Sequence, residues 1–120
     1  NLRLLNLASN KLMEIKFCSR EIRRIYFQNN MLSDQRIQFK CQKYSGTIEK
    51  NINFNNIKLI NSSSRFILPE IVHLRLKNNH IELIENNTFL RLNNLIFLDL
   101  SYNHLGNKSL GNNSFNGLFY

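Results

Sequence analysis

Histidine, serine and aspartate side chains are the first candidates for chemistry in this chain. Asp99, Ser101 and His104 lie close together in sequence, and a Ser-His-Asp triad could be drawn from them. His80 and His104 suggest a metal site, yet both directly follow an asparagine at the same position of a 24-residue repeat, which explains their match without a metal ion. Because an exposed repeat surface offers neither a closed pocket nor an oxyanion hole, we expect no catalytic site, no bound metal and no cofactor.

Four sequons offer asparagine side chains for N-linked glycosylation, at Asn61, Asn86, Asn107 and Asn112. Each of these asparagines is followed two residues later by serine or threonine, which is the spacing that the modification requires. They favour an extracellular location. An asparagine-rich chain also generates some such triplets by chance, so they carry little weight alone.

The net charge of +8 is concentrated in the first half of the chain. Residues 1 to 50 contain ten of the sixteen Lys and Arg residues but four of the eight acids. Such a charge favours acidic partners, including nucleic acid, sulfated glycans, an anionic surface or an acidic protein. The alternative is a solvated basic face without a ligand.

Length and hydrophobicity place limits on the fold. The 120 residues, 42% of them hydrophobic, fit one domain with a modest core. No apolar run approaches the roughly 18 residues of a membrane helix, and the first residues lack the order of a signal peptide. We interpret residues 1 to 120 as a fragment of one repeat domain.

Two copies of one pattern recur 24 residues apart and organise the rest of the chain. The first consists of Ile71, Leu74, Leu76, Asn79 and Ile81, and the second of Leu95, Leu98, Leu100, Asn103 and Leu105. In each copy two apolar residues share one face of a short strand, and the asparagine that follows can bond main-chain groups that a tight coil would otherwise bury unpaired. A single coil has nothing to pack against, so we expect stacked coils with one continuous core.

This pattern is the signature of leucine-rich repeats. The return path through Ile84, Phe89 and Leu92 resembles the typical 24-residue repeat of extracellular animal proteins such as Toll and Toll-like receptors. We therefore predict an α/β-type solenoid, a leucine-rich repeat horseshoe fragment. It should have a parallel concave sheet of about five strands, each of about three to five residues, and loops or 3-10 turns on the convex side.

The repeats are expected near residues 2–21, 22–46, 47–70, 71–94 and 95–120. The third is irregular, because its register puts Thr47 and Lys50 where apolar residues belong. A bare lysine cannot be buried. Either a bulge re-aims the strand locally, or Lys50 reaches out of the core along its aliphatic stem.

Cys18 and Cys41 follow the asparagines of two consecutive repeats, at similar distances along the return path. Adjacent coils lie roughly 5 Å apart, so matching positions can satisfy disulfide geometry. We favour a disulfide, which would contribute roughly 3 kcal/mol, over two buried reduced cysteines. Zinc is a poor alternative, since two ligands without a CxxC pair are too few.

A second resemblance covers about residues 10 to 60. The Cys-Ser-Arg run at residues 18–20, the strand Ile-Tyr-Phe-Gln-Asn-Asn at residues 25–30 and the later Cys41 are similar to the central repeats of mosquito leucine-rich-repeat immune proteins. The resemblance implies a secreted, extracellular factor of innate immunity. Its partner would be a complement-like thioester protein or another leucine-rich repeat protein. A Toll-like receptor ectodomain fragment is the alternative.

Binding is expected on the concave face, at residues interleaved with the core leucines. These residues are Arg3, Leu4, Asn6, Arg23, Arg24, Tyr26, Gln28, Ile48, Glu49, Asn51, Asn53, Val72, His73, Arg75, Lys77, Ile96, Phe97, Asp99 and Tyr102. Arginine and exposed aromatic residues are typical of interface centres. We predict a partner-binding patch of Arg23, Arg24, Tyr26, His73, Arg75 and Lys77, extended by Phe97 and Tyr102. Nucleic acid or sulfated glycan remains the alternative ligand.

Overall fold

The computed structural model describes residues 1–39, 41 and 46–118, and within them the chain is a solenoid of short parallel strands. Its elements are β1 Leu4–Asn6, β2 Ile15–Phe17, β3 Arg24–Tyr26, the 3-10 helix Asp34–Arg36, β4 Ile37–Phe39, β5 Ile48–Asn51, β6 Leu59–Ile60, β7 Ile71–Arg75, β8 Leu83–Ile84 and β9 Phe97–Asp99. No helix in the described residues is long and apolar enough to span a bilayer.

Five strands form one parallel main sheet in the order β1, β3, β5, β7, β9. We name the coils first to fifth after these strands. One core position of the sheet is filled in turn by Leu5, Ile25, Lys50, Leu74 and Leu98, which are register partners from strand to strand. The predicted sheet of five short parallel strands is therefore confirmed. Because every strand alternates its side chains, the opposite face presents matching columns of residues.

The core is continuous through the middle coils. Ile25 and Phe27 in the second coil and Leu74 and Leu76 in the fourth are fully buried. The corresponding leucines of the first and fifth coils pack against the same core but are only partly buried. This gradient follows from stacking, since a middle coil is covered on both sides by neighbours.

The repeated asparagines join each coil to the one before it. Asn79 Oδ1 accepts a hydrogen bond from the Ile57 amide at 3.1 Å, and Asn79 Nδ2 donates to the carbonyl oxygens of Ile52 and Leu76, each at 3.0 Å. Asn30, Asn55 and Asn103 form the equivalent bonds in their own coils. Asparagine is suited to this position because one side chain both accepts and donates. The row satisfies main-chain groups that the core would otherwise leave unpaired.

The residue before each of these asparagines, and before Asn10 in the first coil, has a left-handed backbone. This left-handed row consists of Ser9, Asn29, Phe54, Asn78 and Tyr102, with φ of 57°, 56°, 54°, 53° and 54°. The conformation turns the chain out of each main-sheet strand and aims the asparagine side chain at the preceding coil. Asparagine enters this region readily, whereas large aromatic residues are strained there.

The return side differs from the loops and 3-10 turns that the sequence predicted. The 3-10 helix Asp34–Arg36 is present, but β2 pairs with β4 and β6 pairs with β8 in two further parallel sheets. Alternating apolar residues such as Ile15 and Phe17 form these strands, because successive coils lie at sheet spacing on the return side too. The described residues contain no α-helix, so the solenoid is confirmed but the α/β part of the predicted fold class is not.

A bulge resolves the irregular third repeat. The register pairs Ile48 with Ile71 and then Glu49 with His73, which leaves Val72 as the extra residue of β7. Ile48 is fully buried in place of Thr47, which is exposed. The predicted position of Ile48 on the concave face is therefore wrong, and a bulge is present with its extra residue in β7.

The bulge does not remove Lys50 from the core. Its side chain is 0% exposed, so the expectation that it reaches outward is wrong. Lys50 Nζ donates to the Phe66 carbonyl oxygen at 2.8 Å and lies 3.5 Å from the centre of the Phe39 ring. Burial lowers the pKa of Lys50 well below its ordinary value, while the Glu70 carboxylate acts in the opposite direction. A hydrogen bond and an aromatic face thus replace the water that the ammonium group loses.

The disulfide favoured by the sequence is present. Cys18 and Cys41 are bonded, with 5.1 Å between their Cα atoms. They lie beyond the ends of β2 and β4, where Phe17 and Phe39 pack edge to face at 6.3 Å. The bond therefore ties the return segments of the first two coils together beside the ring that covers Lys50.

Candidate functional site

The exposed face of the main sheet presents two regular columns of side chains. One column contains Leu4, Arg24, Glu49, His73 and Phe97, and the next contains Asn6, Tyr26, Asn51, Arg75 and Asp99. Parallel pairing without further shifts keeps each residue beside its equivalent in the next coil, about 4.8 Å away. Residues far apart in sequence therefore form one continuous surface.

Glu49 contacts both of its neighbours in the first column, Arg24 and His73. Its Oε2 lies 3.8 Å from Arg24 Nε, and its Oε1 lies 3.4 Å from His73 Nδ1. The His73 ring in turn meets the Phe97 ring edge to face at 6.1 Å. An acid thus separates the positive charge of the second coil from the imidazole of the fourth.

Aromatic rings hold two further cations on the fourth and fifth coils. The Arg75 guanidinium lies 5.1 Å from the centre of the Phe97 ring, and Lys77 Nζ lies 4.9 Å from the centre of the Tyr102 ring. Such contacts orient long, flexible side chains while leaving their charges available to a ligand. Exposed cations and aromatic rings therefore occupy the same part of the surface.

Asp99 supplies the second acid of this surface. Its Oδ1 accepts hydrogen bonds from the Ser101 hydroxyl at 2.6 Å and the Ser101 amide at 3.0 Å. The hydroxyl bond is the main cause that lowers the pKa of Asp99, and the charges of Lys77 and Arg75 add to it. Asp99 is therefore ionised at neutral pH, and its carboxylate lies among the cations of the fourth coil.

The structure brings the sequence-predicted patch together. Arg24, Tyr26, His73, Arg75 and Phe97 lie in the two columns. The other three members adjoin the columns: Arg23 precedes β3, Lys77 follows β7, and Tyr102 lies in the left-handed row. Arg23 packs against Gly46, where an added Cβ would lie 2.9 Å from the guanidinium carbon.

The sequence did not predict the contacts of the two acids with the cations, and one aromatic residue was omitted. Glu49 and Asp99 were expected on this face, but their contacts with the cations were not. Phe54 was not predicted as a site residue, although its side chain is 49% exposed. Its position directly before Asn55, which matches that of Tyr102 before Asn103, was the signal that could have identified it.

His80 and His104 lie outside this surface, beyond the repeated asparagines. Their ring centres are 5.3 Å apart, and with Asp34, Lys58 and Glu82 they line an open cleft. In the described part of the chain no group of three or more His, Cys, Asp or Glu side chains could hold a metal ion. Stacking of equivalent positions in neighbouring coils accounts for the histidine pair.

The four sequon asparagines lie away from the two columns. Asn86, Asn107 and Asn112 are exposed. Asn61 is half-buried, and its Oδ1 accepts a hydrogen bond from the Ser63 amide at 2.9 Å. Glycosylation at these positions stays a prediction.

Comparisons with known proteins provide no family and no relative for this chain. No protein family matches it, and neither a curated protein nor a solved structure is significantly similar to it.

Proposed function

We propose that this chain consists of leucine-rich repeats of an extracellular recognition protein, and that it binds a protein partner through the exposed face of the main sheet. The repeated asparagines, the parallel stacking and the Cys18–Cys41 disulfide support the repeat assignment and an oxidising location. The resemblance to mosquito immune proteins supports a role in innate immunity. A complement-like thioester protein or another leucine-rich repeat protein is then the partner to test first.

The observation that carries the proposed mode of binding is the alternation of charge on the exposed face. Glu49 lies between Arg24 and His73, and Asp99 lies among the cations of the fourth coil. A nucleic acid or a heavily sulfated glycan presents anionic groups along its whole length, so each acid would repel it. A protein surface can place a cation opposite each acid and a carboxylate opposite each arginine.

Aromatic residues provide the apolar part of this interface. Tyr26 lies in the second column, and Phe97 and Tyr102 are 44% and 75% exposed. Tyrosine, phenylalanine and arginine are enriched at the centres of protein interfaces, where the rings fill pockets of the partner and arginine binds carboxylates in two-point contacts. We therefore expect a ligand that combines carboxylates with apolar side chains.

A displayed library of random peptides tests this function and does not require a purified partner. We expect the chain to select peptides rich in acidic and apolar residues. The double variant Arg24→Glu and Arg75→Glu should weaken their binding at least roughly tenfold, since two charge contacts reverse sign. Lys11→Glu with Lys58→Glu is the matched control, because it changes the net charge equally at exposed sites outside the two columns.

Salt dependence separates this function from binding of nucleic acid or sulfated glycan, which the net charge of +8 favours. A polyanion ligand gives a log-log slope of about −1 for each phosphate neutralised, so its affinity falls steeply with salt. Unchanged peptide affinity in the Arg24→Glu and Arg75→Glu variant would remove the proposed interface. Steep salt dependence for heparin or single-stranded DNA, with equal losses in both charge variants, would favour the alternative.

A further inference from the structure

The left-handed row alternates amide and aromatic side chains along one edge of the exposed face. From the second to the fifth coil it contains Asn29, Phe54, Asn78 and Tyr102. Hydrogen bonds from the Phe54 amide to the Lys77 carbonyl and from the Asn78 amide to the Ser101 carbonyl, 2.9 Å and 3.1 Å long, keep three of these coils in line. The side chains therefore form a regular series.

Backbone strain identifies Phe54 and Tyr102 as residues that the fold does not require. Both have φ of 54°, in the region that asparagine tolerates and aromatic residues avoid. Their side chains are 49% and 75% exposed, so neither ring gains the full burial that could offset the strain. The same position in the second and fourth coils is filled by asparagine without loss of the turn. Strained, exposed residues of this kind are concentrated at functional sites.

The spacing and chemistry of the row fit an extended sugar chain. The two rings are separated by one coil, so they lie about 10 Å apart, twice the strand spacing. That distance is comparable with the length of a disaccharide, so each ring could stack against the apolar face of an equivalent sugar. The Asn78 amide between them can donate to and accept from hydroxyl groups. Lys77 Nζ, 4.9 Å from the Tyr102 ring centre, supplies one positive charge beside the row.

We propose that the left-handed row, with Phe54, Asn78 and Tyr102 at its centre and Lys77 beside it, binds an unbranched β-linked glycan that carries a carboxylate on alternate sugars. The two rings stack against sugar faces, and the Asn78 side-chain amide forms hydrogen bonds with hydroxyl groups. The ammonium group selects the acidic sugar. This site lies outside the two columns and differs from them in its ligand, but it shares Lys77 and Tyr102 with the proposed protein interface.

The double variant Phe54→Asn and Tyr102→Asn tests the contribution of the two rings to glycan binding without destabilising the fold. Asparagine already fills this position in two coils, so we expect the variant to melt no lower than the parent chain. We expect its affinity for a hyaluronan octasaccharide, measured by calorimetry, to fall at least roughly tenfold. Met13→Asn with Leu90→Asn removes two exposed apolar side chains elsewhere, which are 56% and 51% exposed, and should bind as the parent does.

Lys77→Gln tests the selection of the acidic sugar. We expect this variant to lose hyaluronan affinity about tenfold while its weaker binding to a neutral chitin oligosaccharide is unchanged, whereas the ring variant loses both. For one charge contact, the hyaluronan dissociation constant should rise only about tenfold per tenfold rise in salt. Parent-like hyaluronan binding by the ring variant, or an equal loss in the Met13 and Leu90 control, would overturn the proposal. So would an absence of glycan binding by the parent chain.

Discussion

The third and fourth coils pair in parallel around one bulge, but they fill the same core position with opposite chemistry. Leu74 occupies it in the fourth coil, and Lys50 occupies it in the third, where both side chains are fully buried. Lys50 is accommodated because the Phe66 carbonyl oxygen accepts from its ammonium group and the Phe39 ring covers it. A stacked coil therefore tolerates a lysine in its core where neighbouring return segments supply partners.

Placing a lysine at the core position of the fourth coil should show this difference most strongly. Leu74→Lys places an ammonium group in the fourth coil, where the carbonyl of the corresponding phenylalanine, Phe89, already accepts from the Leu92 amide at 2.9 Å. We expect a loss of about 4 kcal/mol in the free energy of unfolding, measured with urea, because the charge lacks a partner. A loss below about 1 kcal/mol would mean that any core position of the solenoid accepts lysine.

Removing the disulfide should weaken the packing of Phe39 against Lys50 in the third coil. Cys18→Ser with Cys41→Ser releases the two return segments near Phe39, the ring that covers Lys50. We expect a loss of roughly 3 kcal/mol in urea unfolding, by the chain-entropy estimate for a loop of this size. The loss should shrink in a Lys50→Met background, because Phe39 then no longer has a cation to cover. Equal losses in both backgrounds would show that the disulfide stabilises the chain independently of Lys50.

Lys50→Met should stabilise the chain by about 2 kcal/mol at neutral pH, since a buried amino group is replaced by an apolar side chain of similar length. The pKa of Lys50 is lowered on folding, so between that lowered pKa and the ordinary value of 10.5 the unfolded chain binds more protons than the folded chain. Stability of the parent should therefore rise with pH through this window. Urea unfolding across pH measures the rise. A Lys50→Met variant with the same pH slope would show that other groups cause it.

The smallest expected effect is at the left-handed row, where the third coil carries Phe54 and the fourth carries Asn78. Phe54→Asn should stabilise the chain by about 1 kcal/mol, because asparagine is less strained at this φ. The reverse change, Asn78→Phe, should cost about the same. Thermal unfolding of both variants is the measurement. Destabilisation by Phe54→Asn would mean that the ring packs more tightly than its exposure indicates.

The sequence predicted the parts of this fold that repeat. Asparagines such as Asn79 and apolar pairs such as Leu74 and Leu76 recur at fixed spacing, so the main sheet and its continuous core followed from pattern alone. The two columns of exposed side chains followed as well, because alternation along a strand determines which side chains share a face.

Features confined to one coil could not be read from the pattern. The partners of Lys50 are Phe39 and Phe66, which lie on two different return segments, and only the stacked structure brings them to one point. The contacts of Glu49 with Arg24 and His73 likewise depend on the bulge that sets its register. The strands on the return side arise from coil spacing, which a single repeat does not encode.

Successive coils stack in parallel with the register that builds the two columns, and hydrogen-bond couplings across the sheet are the decisive test of this arrangement. In the structure the Ile52 amide donates to the Arg75 carbonyl and the Leu76 amide donates to the Asp99 carbonyl, both at 2.8 Å. Through-bond nitrogen–carbonyl couplings measured by NMR should connect these two pairs. Couplings that join other residues, or an antiparallel pattern, would contradict the stacking and the binding surface with it.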